Sequence, residues 1–231
     1  MHTFACESEK NVVWYLCVAP DLFSFIKNEA ISHFPPPQVR NRAVYHDDFQ
    51  SLHMTKETLI IGTSASGKTI LVRQLRQLTT SSKKKKKKSD DDTGISFQTK
   101  PTVGVELDTI TVNKQLIVTL REVGSPMAPM WSAFHQGCSG IIYLVDSSNH
   151  SMLPEAAVEL WHTMASENVQ QKPLLIAITK IDVPSLLSQQ DILDYLRVTD
   201  LQAHHKASVD VLYLNLTLSS DCQKVLNWFE K

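Results

Sequence analysis

The run Thr58-Leu59-Ile60-Ile61-Gly62-Thr63-Ser64-Ala65-Ser66-Gly67-Lys68-Thr69 restricts this chain more than any other stretch. A short apolar segment leads into Gly-x-x-x-x-Gly-Lys-Thr, and a helical pattern follows with Ile70, Leu71, Leu75 and Leu78 on one side. Strand, glycine-bounded loop and helix in that order make a phosphate-binding loop. Residues 62 to 67 must wrap a phosphate closely, with successive backbone N–H groups pointing inward. Gly62 and Gly67 are expected where a Cβ would strike the phosphate or forbid the turn. Lys68 places an ammonium against the outer phosphates, and Thr69 offers a hydroxyl to Mg²⁺. The helix that begins there, with Ile70 in its first turn, aims its positive end at the anion.

The rest of the chain must supply a fold around that loop. Its 231 residues suit one domain with appendages, and 42% hydrophobic with 20% charged residues is the balance of a globular protein. A net charge of -1 argues against broad nucleic-acid binding, which needs a basic face. Cys6, Cys17, Cys138 and Cys222 are scattered without a C-x-x-C pair, the usage of reduced cytoplasmic thiols. No apolar stretch approaches the ~20 residues of a membrane span. Residues 1–53 read as an N-terminal extension, disordered or dispensable, that Pro35-Pro36-Pro37 interrupts. The nucleotide-binding domain is expected over 54–231. It carries a low-complexity insert at 80–97, where Lys83 to Lys88 precede Asp90-Asp91-Asp92 and no core can be buried.

Beyond the insert the pattern turns to period two. Val103 to Val112 and Leu116 to Leu120, joined at Asn113-Lys114, read as a hairpin. Gly124 to Gly137 reads as irregular. Gly140 to Asp146 and Pro173 to Thr179 read as fully buried strands, and Val211 to Leu216 as a last strand. Helices are expected around 154–165, 189–196 and 221–230. Strands alternating with helices imply an α/β fold, a mainly parallel sheet covered on both faces, with its ligand at the carboxyl ends of the strands.

Further motifs fall at those strand ends. Thr179-Lys180-Ile181-Asp182 follows a buried strand and resembles the Asn/Thr-Lys-x-Asp of guanine-nucleotide-binding proteins. Pro101-Thr102-Val103-Gly104 resembles the first switch of Arf and Arf-like GTPases, and Arg121-Glu122-Val123-Gly124-Ser125 occupies the place of their Trp-Asp-x-Gly-Gly. Pro129-Met130-Trp131 and Val145-Asp146-Ser147 resemble that family's Pro-Leu-Trp and Val-Asp-Ser, and Asn215-Leu216-Thr217 stands at its Cys-Ala-Thr. The resemblance covers about Thr58 to Lys231. It implies a P-loop NTPase (Ras-like) three-layer sandwich, a mostly parallel six-stranded sheet with one antiparallel strand. It also implies GTP/GDP and Mg²⁺ as cofactors. Nucleotide would be held by Gly62 to Ile70, Thr102, Gly124, Thr179, Lys180, Asp182, Leu216 and Thr217. The metal would be held by Thr69, Thr102 and, through water, Glu122. Asp182 would accept hydrogen bonds from guanine; adenine lacks that donor pair, so an unpaired carboxylate would reject ATP.

Departures from the family pattern matter as much. Pro126 sits where the relatives carry the Gln that orients the attacking water, and proline has neither a side-chain amide nor an N–H. Thr179 replaces Asn, keeping a hydroxyl but losing an amide that braces the phosphate loop. The aromatic triad that effectors read in the family is Val105, Arg121 and Phe134 here. The expected function is therefore a GTP-binding switch with slow intrinsic hydrolysis that recruits partners in its GTP state, in membrane traffic. The alternatives are a pseudo-GTPase scaffold and an ATP-hydrolysing enzyme, the latter opposed by Asp182. Position two is His2, where myristoylation needs glycine, and the chain ends Trp228-Phe229-Glu230-Lys231 without a prenylation signal. A cytoplasmic monomer making at most transient contact with internal membranes is expected. Its effector, exchange factor and activating protein are not named by the sequence.

Overall fold

Successive side chains of the buried central strands face two different cores in turn, and that alternation builds three layers. The computed structural model describes residues 54–81 and 96–231; the expectations for 1–53 and for the lysine run lie outside the described residues. The order is β1 (Met54–Gly62), α1 (Lys68–Ser81), β2 (Val105–Thr111), β3 (Leu116–Val123), α2 (Ser132–His135), β4 (Gly140–Asp146), α3 (Leu153–Met164), β5 (Leu174–Thr179), α4 (Gln189–Leu196), α5 (Val198–His204), β6 (Val209–Leu214) and α6 (Ser219–Phe229). Leu59, Ile61, Ile141, Tyr143, Ile176 and Ile178 face one core with Leu160 of α3, Ile192 of α4 and Leu201 of α5. Their neighbours Ile60, Ile142, Leu144, Leu175 and Ala177 face the other, with Leu71 and Leu75 of α1 and Val225 and Phe229 of α6. Period two in the strands and period 3.6 in the helices thus share one plan.

The sheet order is β2-β3-β1-β4-β5-β6. β1 lies parallel to both β3 and β4, β5 is parallel to β4 and β6, and only β2 runs antiparallel, against β3. The expected six-stranded architecture is therefore present. Because β3 and β4 flank β1, the strand order reverses at β1, and a crevice opens at its carboxyl end. Gly62 sits there.

Four local expectations need correction. The last strand is Val209–Leu214, two residues earlier than its apolar run implied. α1 continues through Ser81, inside the expected insert. The irregular stretch contains a 3-10 turn over Ser125–Met130 and the short α2, because Pro126 and Pro129 permit turns while removing backbone donors. α5 was not legible; it follows α4 through Arg197, whose left-handed backbone (φ 53°) ends one helix and starts the next. Among the described residues no helix is long and apolar enough to cross a membrane.

α2 also buries a polar group. His135 is 2% exposed, and neither ring nitrogen has a hydrogen-bond partner among the described residues. Burial, then Lys172 and His162, hold its pKa below the ordinary 6.5. The unfolded chain therefore binds a proton that the folded chain refuses between that lowered value and 6.5. Stability is flat above this window and falls as pH drops through it, by up to about 1.4 kcal/mol per unit. His135→Leu should flatten this limb in denaturant titrations between pH 7 and pH 5; an unaltered slope would show that His135 does not carry it.

Candidate functional site

The loop after β1 is shaped by its protein neighbours before any ligand is considered. Gly62 (φ +142°) and Gly67 (φ +95°) both adopt backbone that disfavours L side chains. A Cβ on Gly62 would lie 2.3 Å from the Leu144 carbonyl of β4, and one on Gly67 would lie 2.7 Å from a Leu216 methyl. The turn argument for these glycines holds, and protein groups alone already exclude a Cβ at both positions. Lys68 is 6% exposed, and its ammonium donates to the carbonyls of Gly62 (2.9 Å) and Thr63 (2.8 Å). Burial lowers its pKa to about 8, opposed by the attraction of Glu122.

A cavity of about 310 Å³ opens over this loop. Ser64 to Ile70 line one wall, Phe97 and Thr99 to Thr102 a second, and Glu122, Gly124, Ser125 and Lys180 complete it. Of the expected residues, Gly62 and Thr63 stand behind the wall and hold Lys68. Asp182, Leu216 and Thr217 lie outside this cavity, on the loops that follow β5 and β6. Asp182 is exposed, and its carboxylate has no hydrogen bond or ion pair among the described residues.

Three oxygens converge at one end. Thr69 Oγ1 donates to Glu122 Oε1 at 2.5 Å, Thr102 Oγ1 donates to the same atom at 2.9 Å, and the two hydroxyls are 3.2 Å apart. Glu122 is 1% exposed, and its Oε2 has no hydrogen-bond partner among the described residues. A buried carboxylate oxygen without a donor is costly unless a cation sits beside it. The donors are all oxygen, the set that suits a hard cation such as Mg²⁺ when ligand phosphates complete the shell. No cluster of three or more His, Cys, Asp or Glu side chains able to hold a metal alone occurs among the described residues.

Two segments of the site, the first over 96–104 and the second over 121–126, touch each other directly. Gly124 N–H donates to the Gly104 carbonyl at 2.9 Å, and a Cβ on Gly124 would lie 2.1 Å from the Thr102 carbonyl. Gly124 thus lines the cavity with its N–H already spent within the protein. Arg121, at one of the triad positions, forms a two-pronged pair with Glu57 (2.6 and 3.1 Å) and lies 5.5 Å above the Phe134 ring.

Thr179 corrects one expectation. Its hydroxyl hydrogen is shared between the Ser66 carbonyl (2.8 Å) and the Val145 carbonyl (3.1 Å), so the brace between β5 and the phosphate loop is kept without an amide. Thr179→Val keeps the shape and removes the donor. It should speed nucleotide release about tenfold, from the roughly 1–3 kcal/mol of an unsatisfied buried acceptor. Stopped-flow release of a fluorescent nucleotide measures this, and an unchanged rate would mean that the brace is idle.

Other supports were legible as motif letters at most, without their partners. Asp146 holds the Lys180 ammonium at 2.6 Å, while Ser147 Oγ donates to the Thr179 carbonyl at 2.8 Å. Val-Asp-Ser is therefore the frame on which Thr-Lys-x-Asp is mounted. Gln74, 1% exposed on α1, donates to the Leu216 carbonyl at 2.8 Å, and Arg73 donates to the carbonyls of Ser96 and Gln98. A buried amide at position 74, amid leucines, is the one sequence clue to such a tether.

Comparison with known proteins agrees with this geometry. The model of the ADP-ribosylation factor family matches residues 45–231. ADP-ribosylation factor-like protein 16 of Homo sapiens is 27% identical over 172 residues, which span 74% of this chain and 83% of that protein. The structure of the Arl6 BBS3 small GTPase from Trypanosoma brucei, with bound nucleotide analogue GppNp, superimposes with a TM-score of 0.58 at 18% identity. It covers 76% of this chain and 97% of that one, a likeness of fold.

Proposed function

The chain belongs to the ADP-ribosylation factor family, and from that premise we propose that it is a Mg²⁺-dependent GTP/GDP switch with slow intrinsic hydrolysis. The observation that carries this reading is the meeting of Thr69, Thr102 and Glu122 oxygens beside Lys68, at the mouth of the phosphate loop. When bound, Mg²⁺ would be held by Thr69, Thr102 and Glu122 and would supply positive charge against the phosphates. The protein's own part is to hold and orient. Backbone amides of 63 to 69 and the Lys68 ammonium take the phosphates, while Thr69, Thr102 and Glu122 supply the cation's oxygens. Asp182 selects guanine, with Lys180 and the Leu216-Thr217 loop beside it.

Switching follows from where Thr102 is attached. Its hydroxyl reaches the loop, and its segment contacts Gly124 through the Gly104 carbonyl. Closing 96–104 over the outermost phosphate therefore orders the second segment as well, and loss of that phosphate loosens both. Pro126 lies in the 3-10 turn and does not line the cavity. Nothing at that position can orient water, which supports slow turnover in the absence of an activating protein.

A second reading, favoured by Pro126 itself, is a pseudo-GTPase scaffold that cycles little or not at all. In either case we assign a soluble cytoplasmic monomer, recruited transiently to internal membranes in vesicle traffic by effector and regulatory proteins. The deciding experiment is identification of the co-purifying nucleotide, followed by competition of GTP against ATP and single-turnover hydrolysis with and without Mg²⁺. Guanine preference with Mg²⁺-dependent, slow decay is the expected result. ATP binding equal to GTP would overturn the assignment, and hydrolysis as fast as in a Gln-containing relative would remove the slow-turnover part. Partners indifferent to the nucleotide would favour the scaffold.

A further inference from the structure

Three lysines line the cavity, and two are already engaged. Lys68 is bonded to the Gly62 and Thr63 carbonyls, and Lys180 is paired with Asp146. Lys100 is exposed and has no hydrogen bond or ion pair among the described residues, yet it forms part of the cavity wall. Its placement is determined by its neighbours. The residue before a proline is kept out of helical backbone, so Pro101 holds Lys100 extended. Lys100 lines the same cavity wall as Thr102, whose hydroxyl stands 3.2 Å from Thr69 at the metal end of the site. The segment's other end is fixed by Arg73, which donates to the carbonyls of Ser96 (2.9 Å) and Gln98 (3.2 Å).

We propose that Lys100 binds the outermost phosphate of GTP and sets the preference for triphosphate over diphosphate. This rests on the guanine-nucleotide reading above and adds a residue to it. The second segment offers a third phosphate no charge: Pro126 has no donor, the Gly124 N–H is taken by Gly104, and Ser125, which lines the cavity, brings only neutral donors. A cation on the first segment fills that need from within the chain. It breaks no existing ion pair in doing so, so the gain from a charge-assisted hydrogen bond is not offset by a lost partner. It also gives the first segment a second hold on the nucleotide beside Thr102, available only while the last phosphate is present.

The test compares Lys100→Ala and Lys100→Arg with the unaltered chain by equilibrium titration with GDP and with GppNp, the non-hydrolysable triphosphate, in saturating Mg²⁺. Lys100→Ala should weaken GppNp about tenfold or more and leave GDP within about twofold. Lys100→Arg should restore most of the loss, and added salt should shrink the difference between the unaltered chain and the alanine variant. Phosphorus NMR adds a readout of position: the γ resonance of bound GppNp should move in Lys100→Ala more than the α and β resonances do. A triphosphate-to-diphosphate affinity ratio unchanged in Lys100→Ala would overturn this inference alone. An unaltered chain that binds neither nucleotide would overturn the functional reading beneath it.

Discussion

Lys68→Ala should abolish tight nucleotide binding while leaving the nucleotide-free fold about as stable as before. The ammonium donates to two loop carbonyls and is nearly buried, with its pKa lowered to about 8. Unfolded, the same group titrates near 10.5, so between these values the unfolded chain binds more protons. Stability accordingly rises with pH across that window, and at pH 7 the free protein keeps the charge at a cost. That cost is returned when phosphate arrives. Charge-assisted hydrogen bonds to two phosphate oxygens, at roughly 1.5–3 kcal/mol each, correspond to an affinity loss of about 10² to 10⁴-fold on removal. Titration with a fluorescent GDP measures the loss, and thermal unfolding without nucleotide supplies the control. Unchanged affinity would mean that the loop is not the site.

Gly124→Ala should separate the two nucleotide states. The glycine has φ -60° and ψ 145°, backbone an alanine adopts freely, so the substitution carries no strain of its own. Its effect falls on Thr102, whose carbonyl lies 2.1 Å from the added carbon, far inside any tolerable contact. The first segment must then move off, taking the Thr102 hydroxyl away from Thr69 and Glu122 and breaking the Gly124–Gly104 hydrogen bond. GDP affinity should stay within about threefold, because in the proposed function its contacts would lie in the loop and around Asp182. Triphosphate affinity should fall by about tenfold or more, the equivalent of one charge-assisted contact. Parallel titrations with GDP and GppNp, with circular dichroism to verify folding, make the comparison. Equal losses for both nucleotides would show that the 96–104 segment does not sense the last phosphate.

What could be read beforehand follows the chemistry closely. A phosphate loop demands glycines, a lysine and a hydroxyl at fixed spacing between a strand and a helix, and few other constraints produce that string. The buried strands declared themselves because β4 and β5 are covered on both faces and tolerate almost no polar residue. Supports are harder. Nothing in Gln74, Arg73 or Asp146 as letters says which distant carbonyl or ammonium each will meet, since those partners are brought together only by the sheet order. Gly62 was recognisable, but not its reason, because the Leu144 carbonyl approaches it across a strand pairing absent from the local sequence. The loss of an amide at Thr179 looked like a weakness; the hydroxyl proved long enough. α5 escaped notice because its seven residues carry only Val198 and Leu201 as buried apolar positions, too few to set a period.

The hydroxyl of Thr179 has a mechanical consequence. By joining the Ser66 carbonyl to β5, it ties the loop after β1 to the loop after β5, which in the proposed function would be two jaws of a single clamp, one on the phosphates and one on the base. Leverage applied at either jaw would then slacken the other, and a proposed exchange protein would need only one foothold to release the nucleotide.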